Sequence, residues 1–155
     1  MLSQFDIVFY RGTSLISRTI TTLSKSRYSH VALVLDDLHT LECDYKTPTA
    51  IRHFDYKDKT YEVYELVTPL TEEQRQGILK FIRENLGKKY DWRYIISRGF
   101  NFLFGTKIYN HPDRYDCDEL IVDAFKSQGI DLVEGTELFP EVLSKSKHVK
   151  QKEIF

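Results

Sequence analysis

The sequence predicts an α+β fold in which a small antiparallel sheet or partial barrel packs against helices. Three observations carry that reading. Strand-type segments fill the first part of the chain, the apolar period lengthens from two residues to the helical repeat at Thr71, and no repeat, low-complexity tract or Pro/Gly-rich linker intervenes. The 155 residues are therefore expected to form one domain, 1–155, with 144–155 a frayed basic tail.

Each element has its own signal. Asp6 to Tyr10 (DIVFY) reads as a short strand. The Ser/Thr-rich stretch from Arg11 to Arg27 reads as a loop with a short helix around Leu15 to Leu23. Ser29 to Leu35 (SHVALVL) is β-branched and apolar on both faces, hence a buried strand. Asp36-Asp37 supplies turn chemistry, and Leu38 to Tyr45 returns as the next strand. Ala50 to Phe54 and Tyr61 to Val67 follow as strands, the second alternating cleanly. Thr71-Glu72-Glu73-Gln74 is a capping box, Ile78, Phe81, Ile82 and Leu86 form an apolar stripe, and Gly87 ends that helix. Tyr90 to Phe104 is an aromatic-rich helix closed by Gly105. Asp116 caps a third helix, with Glu119 three residues on; Leu120, Ile121, Ala124 and Phe125 face the core and Gly129 terminates it.

Composition excludes several classes. With 41% apolar residues the chain is no disordered segment, and no apolar run approaches the ~20 residues of a membrane span. A net charge of −1 argues against a nucleic-acid binder, whose affinity rests on a basic surface. The opening MLSQFDIVFYRG lacks the basic start, apolar stretch and small-residue cleavage site of a secretory signal, so a reducing, cytoplasmic setting is expected. Two cysteines are too few for a disulfide scaffold or a zinc cluster, and no metal or cofactor is expected.

The chemistry concentrates at Cys117. As the first residue of a helix it would sit over unpaired N–H groups at the positive end of the helix dipole, which should lower its pKa from about 8.5. The same N–H groups can receive the oxyanion formed when a thiolate attacks a carbonyl. The ordinary alternative is a small buried apolar residue. A cysteine nucleophile needs a base, and His30, near the start of the most apolar strand, is better placed than His39, His53, His111 or His148. Its alternative is a satisfied core histidine. Glu42, twelve positions on in the return strand, could orient that base. An odd-numbered loop centred on Asp36 puts Glu42 on the face of His30; a two-residue Asp36-Asp37 loop brings Cys43 there instead. A metal site from His30, Glu42 and Cys43 is disfavoured, because adjacent strand residues point opposite ways.

Two further patterns bear on the ligand. From Ile7 to Leu35 the chain carries Arg11, Arg18, Lys25 and Arg27 but no acidic residue, either a solvated basic loop or a cleft that attracts a carboxylate or phosphate. The aromatic run Tyr90, Trp92, Tyr94, Phe100, Phe102 and Phe104 is expected to be mainly core; exposure of several together would favour lipid contact.

YSHVALVL followed by LEC, and much later YDCDELI, resembles the circularly permuted branch of the NlpC-type papain-like peptidases, the YiiX/YebB-like group. There the histidine precedes the cysteine, reversing the usual papain-like order. The segments that match are Phe5-Asp6-Ile7-Val8, Ser29-His30-Val31, Glu42 and Tyr115 to Leu120, so the resemblance spans residues 5 to about 130. It implies a permuted papain-like fold and a thiol amidase or hydrolase acting through a thioester on a peptide, such as a cell-wall peptide. Cys117 would be nucleophile, His30 base and Glu42 the orienting residue, with Tyr115 bordering the substrate site. The His30–Glu42 spacing is also similar to that of the lecithin–retinol acyltransferase-like thiol enzymes, which makes a lipid-directed acyltransferase or esterase the alternative. A non-catalytic ligand-binding module is another. Asp118 stands where the family usually has Ser, and Phe5 where it has Gly. Asp118 would oppose a thiolate or recognise a cationic group, and Arg27 is a candidate contact for an anionic one.

Overall fold

The computed structural model describes residues 1–12, 21–22, 26–44, 47–54, 60–109, 111, 114–135 and 140–153. The helix expected around Leu15 to Leu23 lies mostly outside the described residues. Six antiparallel strands form the main sheet: β1 (Ile7–Arg11), β2 (His30–Val34), β3 (His39–Asp44), β4 (Thr47–His53), β5 (Thr60–Leu66) and β8 (Val149–Lys152). Their spatial order is β4-β3-β2-β1-β5-β8. The helices are α1 (Glu72–Asn85), α2 (Trp92–Phe104), α3 (Cys117–Lys126) and α4 (Pro140–Ser144). A two-strand parallel pair, β6 (Lys89–Tyr90) and β7 (Arg114–Tyr115), lies between them in sequence.

Alternation along the strands separates two apolar layers. Ile7, Phe9, Val31, Leu33, Leu41 and Cys43 pack with Ile78 and Ile82 of α1 and with Leu120, Ile121 and Phe125 of α3. The opposite face carries the smaller cluster Val8, Ala32, Val34 and Val63, covered by Leu2, Phe54 and Tyr61. Val31 to Val34 are all buried, as a strand apolar on both faces should be.

The β2–β3 hairpin settles which residue stands beside His30. Leu33 pairs with Leu41 and Val34 with Thr40, so the loop is odd-numbered and centred on Asp37. Leu35 N–H donates to His39 O at 2.9 Å, and Asp36 Oδ1 accepts Leu38 N–H at 2.8 Å. Directly opposed residues share a face, so Glu42 joins Ala32, Val34 and His30, and Cys43 points to the helices.

Helix α1 starts as its sequence specifies: Thr71 Oγ1 accepts Gln74 N–H at 3.2 Å and Gln74 Oε1 accepts Thr71 N–H at 3.0 Å. Its last stripe position differs from expectation. Leu86 is exposed, and Asn85 is buried instead, donating to Phe81 O at 2.7 Å. The chain turns there through Gly87 at φ 82°, and Gly87 N–H and Lys88 O both bond Thr49 on β4 at 2.8 Å.

The expectation of a frayed tail over 144–155 is corrected by β8, which pairs with β5 through Val63–Lys152 and Leu66–Val149. One apolar residue in VKQK gives no strand pattern; the strand is held by its ladder to β5, by buried Val149 and by charge pairs. Lys150 pairs with Glu65 directly opposite at 3.1 Å, and Lys152 reaches buried Asp6 at 2.7 Å. Asp6 also accepts Ser3 N–H at 2.8 Å, tying the chain before β1 to the last strand.

Phe5 occupies the left-handed region at φ 71°, the conformation that glycine accepts freely. For a non-glycine residue that costs about 1–3 kcal/mol. The ring is buried edge-on to Phe125 at 6.4 Å and lies under the Arg75 guanidinium at 5.6 Å. Burying it contributes about 1.5–3 kcal/mol, which offsets the strain.

Candidate active site

Helix α3 begins where the sequence places it. Buried Asp116 is the cap, its Oδ1 accepting Glu119 N–H at 2.8 Å. The preceding β7 is held by the β6 pairing, by Asp91 N–H to Tyr115 O at 3.0 Å and by the Cys43 thiol to the same carbonyl at 3.4 Å. The first turn of α3 is thus fixed against β3 as well as β2.

Cys117 is 8% exposed and lies in the layer between sheet and helices. Its sulfur meets β2 at the Val31 N–H, the peptide that follows His30. Burial pushes the thiol well above its ordinary pKa, and the Asp118 and Asp116 carboxylates push the same way against the Val31 N–H. The expected lowering by the helix end is therefore overturned. Desolvation and two neighbouring negative charges outweigh the dipole.

On the other face of β2, His30 Nε2 lies 3.2 Å from Glu42 Oε2, with only 16% and 9% of these side chains exposed. Glu42 Oε1 accepts the Thr40 hydroxyl at 2.8 Å, so the carboxylate is itself aimed. A carboxylate accepts only, which assigns the proton to Nε2 and leaves Nδ1 as a lone pair.

Asp118 is 2% exposed, with Oδ1 4.0 Å from the Cys117 sulfur. Its Oδ2 is buried with no hydrogen-bond partner among the described residues. Tyr90 is a neighbour that sequence reasoning placed only in an aromatic run. Burial first, then the charges of Cys117, Asp116 and Asp118, raise its pKa, so its hydroxyl stays a neutral donor. A two-residue strand such as β6 has no periodicity by which to find it.

The remaining candidates make other contacts. Tyr115 is buried, its ring 6.4 Å from Phe81 and 5.1 Å beneath Lys88 Nζ, and burial pushes its pKa up to about 12. Arg27 pairs with Glu141 of α4 at 3.4 Å and stacks over Tyr28 at 5.1 Å; Arg11 pairs with Glu62. The described members of the basic stretch are thus ion-paired, while Arg18 and Lys25 lie outside the described residues. Among the described residues, no three His, Cys, Asp or Glu side chains are placed to hold a metal ion, and no helix is long and apolar enough to cross a membrane.

Residues 2–153 match the family described as permuted papain-like amidase enzyme, YaeF/YiiX, C92 family. The chain belongs to that family. It is thus a permuted papain-like cysteine amidase or hydrolase in general terms. Its fold is that of the crystal structure of metalloprotein yiiX from Escherichia coli O157:H7, with TM-score 0.72 and 18% identity over 97% of this chain and 96% of that one. No curated protein matches the sequence.

Within this amidase, the raised thiol pKa has a measurable sign. The thiolate is the species alkylated, so iodoacetamide should modify Cys117 slowly at neutral pH and faster as pH rises. Asp118→Asn removes one opposing charge and should move the alkylation profile to lower pH, each unit raising the neutral-pH rate about tenfold. An unchanged profile, followed by mass spectrometry of the Cys117 peptide, would remove Asp118 from control of the sulfur.

Proposed function

We propose that this protein cleaves an amide bond through a thioester on Cys117. Nδ1 of His30 takes the thiol proton while Nε2–H remains donated to Glu42. The ring lies on the other face of β2 from the sulfur at rest, so it must reach Cys117 around the start of that strand, where β3 is not paired to it, once substrate is bound. The thiolate adds to the substrate carbonyl, and the oxyanion rests on the N–H groups opening α3, with the Tyr90 hydroxyl as a further nearby donor. His30, now imidazolium, protonates the amine nitrogen as the C–N bond breaks, leaving an acyl thioester. Water, losing its proton to Nδ1, then attacks that thioester; the acid departs and the sulfur regains the proton.

The observation that supports this reading best is the oriented His30–Glu42 pair at 3.2 Å, with the sulfur of Cys117 at the peptide following His30. The resting thiol is neutral, so activation must accompany substrate binding. The open valence at Asp118 Oδ2 suits a substrate carrying a cationic amine near its scissile bond. Pairing there would cancel the nearer of the carboxylate charges that oppose the thiolate. A peptide with a free amine fits this better than an anionic head group, because Arg11 and Arg27 already have acidic partners. Both cysteines are free thiols, in keeping with a reducing, cytoplasmic setting.

Trapping the intermediate tests the mechanism. Incubation with an acyl p-nitroanilide bearing a free amine, followed by acid quench and peptide mass spectrometry, should place the acyl mass on Cys117, removable by hydroxylamine. Turnover with the acyl group elsewhere would overturn the assignment, and neither adduct nor turnover would favour a binding module. Fatty-acid release from a phospholipid would identify the lipid-directed alternative, which the exposed aromatics of α2 favour.

A further inference from the structure

Half of the large apolar side chains left in solvent among the described residues lie in one short segment. Ile96 is 53% exposed, Phe100 52%, Phe104 71%, Ile108 49% and Tyr109 69%. Ile96, Phe100 and Phe104 follow one another at four-residue spacing, so they run along one side of α2, and the Phe100 and Phe104 rings lie 6.0 Å apart. The expectation that this aromatic run is core holds for Tyr94, which is 6% exposed, and fails for Phe100 and Phe104; the side chains of Trp92 and Phe102 lie outside the described ones.

The segment is built rather than loose. Asp91 caps α2 by accepting Tyr94 N–H at 3.1 Å and also accepts His111 N–H at 2.9 Å. Buried Ser97 accepts Tyr109 N–H at 2.9 Å, and Asn101 bonds Thr106 O. Gly105, at φ 65°, makes the turn that brings Ile108 and Tyr109 back along the helix. Helix and return segment are therefore tied together by hydrogen bonds, and both leave large apolar side chains in solvent.

Charge says what covers it. Between Lys88 and Tyr109 the sequence carries Lys88, Lys89, Arg93, Arg98 and Lys107, against one acidic residue, Asp91, which is fully buried as the cap. The chain as a whole carries −1, so this basic excess is local. Arg93 is exposed one turn before Ile96 on the same side of the helix. A second copy meeting this face symmetrically would set like charges against each other. A surface that takes aromatic side chains and supplies negative charge is an anionic lipid bilayer.

We propose that α2 and the 105–109 return form an interfacial docking surface, laying Ile96, Phe100, Phe104, Ile108 and Tyr109 into the headgroup region of an anionic leaflet, with exposed Arg93 and Lys107 supplying positive charge beside them. At thirteen residues α2 lies in the interface and does not span it. This surface stands apart from the thioester reading. Its part would be to hold the protein where a membrane-borne substrate is met.

Vesicle co-sedimentation of the full chain tests it. The protein should pellet with vesicles of phosphatidylcholine and phosphatidylglycerol in equal parts, remain in the supernatant with phosphatidylcholine alone, and release as salt rises. Combining Phe100→Ser with Phe104→Ser should lower partitioning by about tenfold or more, and Arg93→Gln with Lys107→Gln should lower it on anionic vesicles. Far-UV circular dichroism and thermal melting confirm that these exposed-site variants fold. Cys117→Ala should bind like the wild type, which keeps this result distinct from the catalytic one. Failure of the wild type to bind anionic vesicles, equal binding to both compositions, or unchanged binding by the double Phe variant would overturn the proposal. So would a wild-type dimer that the Phe variant converts to monomer, since that assigns the face to a second copy.

Discussion

Cys117→Ala should reduce amide hydrolysis by about a thousandfold or more while leaving the fold in place. The size of the loss follows from removing the protein's nucleophile, the side-chain atom that becomes acylated in the proposed mechanism. The fold should survive because alanine fits the same small buried site and remains a good helix former in the first turn of α3. The paired measurement is turnover of the amine-bearing anilide against a denaturant unfolding curve. Persistent turnover at wild-type rate with an unchanged unfolding midpoint would sink the assignment of Cys117.

The second large effect is expected at Glu42, which touches no reacting atom and acts through His30. Glu42→Ala leaves Nε2–H and the Thr40 hydroxyl without their acceptor at a nearly buried position. The ring then loses both its fixed tautomer and the charge that stabilises its protonated form, worth about 10²–10⁴ in turnover. Glu42→Gln should recover part of this, because an amide oxygen can still accept Nε2–H. The predicted order is wild type, then Gln, then Ala, in kcat rather than KM. A Glu42→Ala variant with wild-type kcat would make the pair structural only.

Much of this arrangement is legible in the sequence. The β2–β3 hairpin, the capping box at Thr71 and the start of α3 at Asp116 are local signals, each set by residues within a few positions of one another. Glu42 against Cys43 could not be decided that way, because the choice turned on whether the Asp36 carboxylate closed a loop of odd or even length. Strand β8 escapes because its partners lie far away in sequence and it offers a single apolar residue; its ladder to β5, buried Val149 and the Lys152–Asp6 pair are tertiary facts. The sequence predicts the wrong sign for the thiol's pKa shift for a similar reason. The helix dipole is visible from sequence, whereas the inward turn of Asp118 and the depth of the sulfur are tertiary facts. In α2, helical spacing identified the aromatic stripe without showing which side met solvent.

The buried setting of the sulfurs also governs their fate toward oxidants. Peroxide consumes thiolates, and its rate follows the charged fraction and access to the atom. Burial and nearby carboxylates keep Cys117 protonated, and burial pushes Cys43 up to about 11. Both sulfurs should therefore be slow to form sulfenic acid in the resting molecule. Any ligand that neutralises Asp118 would expose Cys117 to that damage at the moment it becomes nucleophilic.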